Sequence, residues 1–323
     1  MLFLQFFNFP NVYNPHWDKS KELKKLRKLF LLILMIVYFS VLNKIVYAKP
    51  VKVEEILTYK NQWQLDLGIS YSNIEKSSGE SQLVLIPIGN NQTVPVFNYL
   101  GQQNVNQDYL VYSLNLRYGF TGNLELFSYT NFFSNFQRIT YPNGERETKE
   151  DHRFNSFGIG FSYQILEEDK YPALLVSFSS QIANNTSFSN GYEITYFKHY
   201  KATLTSYYTV DPIVFFVQAS YTLNLEEKNK DQKIDLGEQF SLSPQIYFAI
   251  NPYTTINWGF SWYIQGKDKI NGEYISLTQT RTSFLFGASY EITNNLIFSL
   301  DYEYQPLSNG YQSSISTRFT YKF

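Results

Sequence analysis

The chain has 323 residues, of which 28 are Tyr and 28 Phe, with no Cys and 17% charged residues. A formal net charge of −1 leaves no basic field for nucleic acid, and the lack of cysteine excludes a disulfide framework, a thiolate metal site and a cysteine nucleophile. A mean hydropathy of −0.29 argues against a helical membrane protein, whereas an alternating strand keeps that average low with one face wholly apolar.

The chain begins with a targeting pattern. Lys19, Lys21, Lys24, Lys25, Arg27 and Lys28 precede a continuous apolar run from Leu29 to Leu42, and Val46-Tyr47-Ala48 ends on a small residue. That order predicts a secretory signal peptide over residues 1–48, cleaved after Ala48. The run is shorter than the roughly 20 residues of a spanning helix. Met1 to Ser20, with Phe3, Phe6, Phe7, Phe9 and Trp17, is long for a basic region. It reads as an upstream extension of the start, the alternative being a retained inner-membrane anchor. Residues 1–48 carry seven basic and two acidic residues, so the remainder is net acidic.

Residues 49–61 form a short lead-in, and 62–323 alternate. Trp63, Leu65, Leu67, Ile69 and Tyr71 share one face of a first strand; Asp66, Gly68 and Ser70 share the other. The long segment 76–108 is more than a polar loop. Gln82 to Ile88 and Thr93 to Phe97 flank Gly89-Asn90-Asn91, predicting a small hairpin that stands above the strands or folds in among them. The next strand puts Leu110 to Phe120 outward and Ser113, Asn115 and Arg117 inward. Leu124 to Phe136 is ambiguous: Leu124, Leu126 and Phe132 fall on one parity, Phe127, Tyr129 and Phe133 on the other, which a bulge would reconcile. A polar loop from Tyr141 to His152 precedes a strand facing outward through Phe157, Ile159, Phe161, Tyr163 and Ile165. Then come strands with Leu174, Val176 and Phe178 outward, Tyr200, Ala202 and Leu204 outward against His199, Lys201 and Thr203 inward, and Ile213 to Leu223 outward. Phe240 to Ile250, Ile256 to Ile264, Phe284 to Ile292 and Leu296 to Tyr304 repeat the pattern.

Turns are short at 121–123, 167–172, 211–212, 251–254 and 293–295, and mostly longer at 76–108, 137–152, 184–196, 226–238 and 267–279. This asymmetry predicts an all-β, antiparallel up-and-down transmembrane barrel of about twelve strands, of outer-membrane type, with both termini periplasmic. Closure removes the sheet edges that lipid does not tolerate. The last stretch alternates strictly, with Ile315, Thr317, Phe319, Tyr321 and Phe323 on one face. It resembles the terminal strand of bacterial outer-membrane barrels, which implies that Phe319, Tyr321 and Phe323 are read by the barrel-assembly machinery.

Arg117-Tyr-Gly-Phe-Thr-Gly-Asn-Leu-Glu-Leu126, Val210-Asp-Pro-Ile-Val214, Ala249-Ile-Asn-Pro252 and Gly287-Ala-Ser-Tyr-Glu-Ile-Thr-Asn-Asn-Leu296, with the hydrophobic first loop, resemble the transporter-like outer-membrane family of the phenol-degradation MetA pathway. The likeness covers roughly residues 62–323. It implies passive passage of small molecules, hydrophobic or aromatic ones included, and brings no catalytic residues with it.

The chemistry readable from motifs is sparse. His152 falls in a charged loop and His199 in a strand beside Lys201, two histidines without metal or triad spacing. Asp231 to Glu238 faintly resembles a calcium loop but has Lys233 and Leu236 where oxygen ligands or glycine belong, so it reads as a solvated loop. No cofactor, no metal and no enzymatic activity are expected. The polar parity supplies the site candidates: Arg117, His199, Lys201, Arg281, Glu291, Asp301, Glu303, Arg318 and Lys322 face the lumen. Such charges either pair to fill the interior or set selectivity in a pore. The expected partners are outer-membrane lipid and a small hydrophobic or aromatic solute. A non-conducting structural or adhesive barrel is the second reading, and an outer-membrane hydrolase the third.

Overall fold

The computed structural model describes residues 57–76, 82–98, 104–141, 144–188, 191–229, 232–307 and 310–323. The signal segment and Ala48 lie outside them. Eighteen strands follow in chain order: β1 (Trp63–Lys76), β2 (Gln82–Gly89), β3 (Gln92–Asn98), β4 (Asn104–Gly119), β5 (Leu124–Thr140), β6 (Arg146–Leu166), β7 (Ala173–Phe188), β8 (Gly191–Val210), β9 (Ile213–Asn224), β10 (Glu227–Asn229), β11 (Gln232–Asp235), β12 (Gln239–Asn251), β13 (Thr254–Gln265), β14 (Lys269–Ile270), β15 (Glu273–Tyr274), β16 (Gln279–Thr293), β17 (Leu296–Leu307) and β18 (Gly310–Lys322). There is no helix among the described residues.

Twelve of these strands close into an antiparallel barrel in the order β1-β18-β17-β16-β13-β12-β9-β8-β7-β6-β5-β4. The strand count and fold class expected from the alternation both hold. The seam is continuous to the last residue: the Trp63 amide donates to the Phe323 carbonyl at 2.8 Å, and the Phe323 amide donates back at 2.9 Å. Outward faces carry the predicted apolar residues. Trp258, Phe260 and Trp262 are exposed, while Ser261 between them is fully buried on the inner face. Phe319, Tyr321 and Phe323 face outward, with Phe319 5.1 Å from the Phe298 ring and Tyr321 5.9 Å from Phe323.

Two expectations are corrected. First, β5 has no parity switch, since its pairing with β4 runs unshifted from Gly119↔Glu125 to Asn104↔Thr140. Phe127, Tyr129 and Phe133 simply point inward. The bulge lies in β6, where Asn155 and Ser156 are both buried and the pairing slips from Asn131↔Ser156 to Phe132↔Phe154. Second, much of the expected loop is strand. β6 runs 21 residues and β8 20, well beyond the roughly 9–11 that cross a bilayer. His152 therefore sits in a strand. The surplus length stands at the long-loop end of the barrel, because the short-turn end is trimmed by tight turns. There β10, β11, β14 and β15 make a separate four-stranded sheet from segments 226–238 and 267–279.

Candidate functional site

The hairpin of β2 and β3 lies inside the barrel. Its tip explains itself locally: Gly89, Asn90 and Asn91 all have positive φ (84°, 49° and 55°), a conformation that glycine and asparagine tolerate. Its apolar face meets an apolar patch of the inner wall. Ile86 and Val94 pack with Ile74, Tyr109, Val111 and Phe133, all buried. Removing Ile86 and Val94 from water contributes about 1.5–3 kcal/mol each. Pro87 and Pro95 interrupt the hairpin's own donors, so it stays an edge element instead of joining the barrel ladder.

The free carbonyls of β2 are met by side chains of the wall. Gln312 donates to the Leu85 carbonyl at 2.8 Å, and Ser316 to the Pro87 carbonyl at 3.1 Å, where Ser70 also donates. Arg318 Nη2 reaches the Ile88 carbonyl at 3.4 Å. This accounts for the small residues along the facing strands. Ser72 and Ser314 share a 2.5 Å hydrogen bond, and Ser70 and Ser316 one of 2.8 Å, leaving the hairpin room. A Cβ at Gly89 would collide with Arg318 and Asp301, so the tip fits against that charged pair. On the far side Gln245 of β12 donates to Asn91.

The sequence candidates separate into distinct arrangements. Asp301 pairs with Ser316 in register and stands 3.6 Å from Arg318, the diagonal contact that alternation implies. Arg117 pairs with Glu125 at 2.8 Å, and Glu125 also accepts the Thr58 amide at 2.7 Å. Residues 57 and 58 are thus drawn into the short-turn mouth, where Leu57 packs with Ala173, Leu175, Tyr207 and Val214. Glu303 is buried opposite Ser314, and Ser283 donates to the nearby Gln305 at 3.4 Å. Arg281 is buried beside the Gln279 amide. Lys322 faces inward opposite Gln64, and Glu291 lies at the short-turn end opposite Ile297. Sequence reasoning missed Glu125, Asp66 and the inward aromatics of β5. Asp66 ties the seam together, accepting from Asn115 at 3.1 Å and Thr320 at 2.7 Å. Its inward parity was the available signal.

His199 marks the top of the lumen. Its Nε2 lies 2.6 Å from Glu227 of β10, and its Nδ1 2.7 Å from Asn224 Oδ1. Asn224 donates through its amide nitrogen to the Gly237 carbonyl at 2.8 Å, which turns its oxygen toward the ring. The ring thus bridges Asn224 of the wall and Glu227 of β10, with Asn184 Nδ2 3.1 Å from Nε2, so the barrel wall clasps the four-stranded sheet. That sheet caps the hairpin root, since Ile234 and Leu236 pack with Leu85 and Tyr263. The calcium-like segment is consequently no solvated loop. Ile234 is buried within β11, and Asp268 accepts from the Gly237 amide at 2.8 Å. His152 Nδ1 lies 2.8 Å from Ser134 Oγ on the outer face, with the Phe136 ring at 5.5 Å. Among the described residues no carboxylate pairs with that ring, so the contact lacks the orienting third group of a hydrolase triad.

The neighbouring wall of β5 to β9 differs. Phe127 faces Gly160 and Tyr129 faces Gly158 in register. Each ring lies across the glycine of β6, in the space a Cβ would need. The Tyr129 hydroxyl reaches Ser179 and Gln181 of β7. Phe127, Tyr129, Ser179, Lys201 and Thr222 are only half-buried although they face the interior, so this part of the lumen is open to solvent.

No protein-family model and no curated protein matches this chain. Among solved structures, an outer membrane channel from Pseudomonas putida F1 is similar with a TM-score of 0.57 at 11% identity, over 84% of this chain and 100% of that one. The NanC porin is similar at 0.46 and 12% identity, over 80% and 100%. The P. putida toluene transporter TodX is similar at 0.39 and 8% identity, over 85% and 92%. At such identities the likeness to the P. putida F1 channel is one of fold: this chain has the architecture of an outer-membrane β-barrel.

Proposed function

We propose that this chain is an outer-membrane channel for passive passage of small molecules, hydrophobic or aromatic ones included, with residues 82–98 as its internal constriction. One observation carries the reading. The hairpin is seated mainly against β17, β18, β1 and β4, with Phe133 and Gln245 also touching it, while Phe127, Tyr129, Ser179, Lys201 and Thr222 on β5 to β9 stay half-buried and face solvent. A structural filler would leave no such wall. In this reading the short-turn end and both termini are periplasmic, residues 1–48 are a signal peptide removed after Ala48, and residues 49–61 are the periplasmic lead-in. Phe319, Tyr321 and Phe323 address the assembly machinery, and the outward face meets outer-membrane lipid. The MetA-pathway resemblance favours aromatic solutes, and the chain acts without catalysis.

The second reading, a non-conducting structural barrel, is favoured by the Leu57 cluster at the short-turn mouth. Planar-bilayer recording decides between them. Wild type should carry a small current, and deletion of residues 82–98 should raise it severalfold. Absence of current from both, with folding intact by heat-modifiable gel mobility, leaves the structural barrel.

A further inference from the structure

Three inward arginines of this barrel come with acids. Arg117 has Glu125 at 2.8 Å, Arg318 has Asp301 at 3.6 Å and Arg153 has Asp151 at 2.6 Å. Lys201 departs from this pattern: among the described residues no carboxylate pairs with it. Its cross-strand neighbours are the neutral hydroxyls of Ser179 on β7 and Thr222 on β9. A partly buried cation with no carboxylate beside it is costly unless something compensates it.

What lies beside Lys201 is also unusual. Two glycines in β6 let Phe127 and Tyr129 lie against the wall, their centroids 6.4 Å apart and their planes 32° from parallel. The result is a flat apolar shelf on an otherwise polar surface. The Tyr129 hydroxyl reaches Ser179, the residue directly across from Lys201. Shelf and cation therefore adjoin, and both are open to the interior solvent. The hairpin tip takes its contacts on Arg318, Asp301 and Gln245 instead.

We propose that this wall is a binding station for an arene carboxylate, with Lys201 taking the carboxylate and the Phe127 and Tyr129 rings taking the arene. Charge-assisted hydrogen bonding from the ammonium and the neighbouring hydroxyls compensates the carboxylate, while the shelf gives area to a planar body and little to a hydrated inorganic anion. The station names a solute class for the proposed channel and rests on that reading for its purpose, though binding itself does not require conduction.

The test uses the folded full chain in detergent, with benzoate as probe and benzamide as its neutral counterpart, followed by titration calorimetry. Benzoate should bind wild type, and Lys201→Met should weaken it about tenfold or more while leaving benzamide unchanged. Phe127→Leu should weaken both probes alike. Heat-modifiable mobility checks folding, with Lys201→Gln as the substitute if the methionine variant does not fold. No benzoate binding to wild type, or equal benzoate affinity in the Lys201 variant, overturns the station. Planar-bilayer recordings separate the two proposals. Binding without passage removes the channel and leaves the station, and passage without binding does the reverse.

Discussion

The two sides of this lumen are built from the same alternation and do opposite things. On the β17–β18–β1 side four short inward residues, Ser70, Ser72, Ser314 and Ser316, are buried; Ser70 and Ser316 donate to the Pro87 carbonyl of the hairpin, and Ser72 and Ser314 bond each other. On the β5–β9 side Phe127, Tyr129, Lys201 and Thr222 are larger, half-buried and face solvent, whereas Ala173, Leu175, Tyr207 and Val214 at the short-turn mouth are buried with Leu57. A polar inward residue is therefore no single category. Its role depends on whether another backbone stands across from it, and residue size is the clue: a wall of serines makes room, a wall of aromatics and lysine fills it.

The largest effect should come from detaching the hairpin. Ile86 is fully buried, so Ile86→Asp loses its burial and adds a carboxylate to an apolar pocket, costing the hairpin's seat about 4 kcal/mol or more. Limited proteolysis should then cut near residues 89–91, which wild type protects, while the barrel stays folded. A more direct challenge compares one substitution on the two walls. Ser316→Arg, beneath the hairpin, should destabilise by about 1–3 kcal/mol in a urea titration. Thr203→Arg, on the open wall, should stay within about 0.5 kcal/mol. Equal costs would erase the distinction. The smallest effect concerns the clasp at the top. Glu227→Gln keeps the shape and removes the charge facing His199, and should speed proteolysis of segment 226–238 about fivefold, roughly 1 kcal/mol of local stability.

Most of the barrel was legible because lipid and lumen impose opposite demands on adjacent residues, so parity alone set the register. It set Asp301 and Arg318 on the inward face, where they stand 3.6 Å apart with Asp301 opposite Ser316. Parity failed where both faces were apolar. Phe127, Tyr129 and Phe133 looked like a register change because an inward aromatic is unexpected, and the glycines that admit two of them sit in the next strand. Loop composition failed for a different reason. Glu227, Ile234 and Asp268 belong to charged stretches, yet long-range packing onto Leu85 and His199 buries them. The hairpin was readable as a hairpin. Its location was not, because the carbonyl acceptors that seat it meet donors more than two hundred residues further on.

That separation sets an order of events. The seam joins residue 63 to residue 323, and drawing such distant points together costs about 5 kcal/mol of chain entropy before any bond is made. The hairpin lies between the first two barrel strands, so it is synthesised long before the strand that completes the cylinder. Its carbonyls at Leu85, Pro87 and Ile88 accept from Gln312, Ser316 and Arg318, all on that final strand. The last strand thus docks on two early-made surfaces at once, the edge of β1 and the flank of the hairpin. The element that narrows the lumen also works as a mould for its closure, and a chain lacking it should still form strands but seal more slowly.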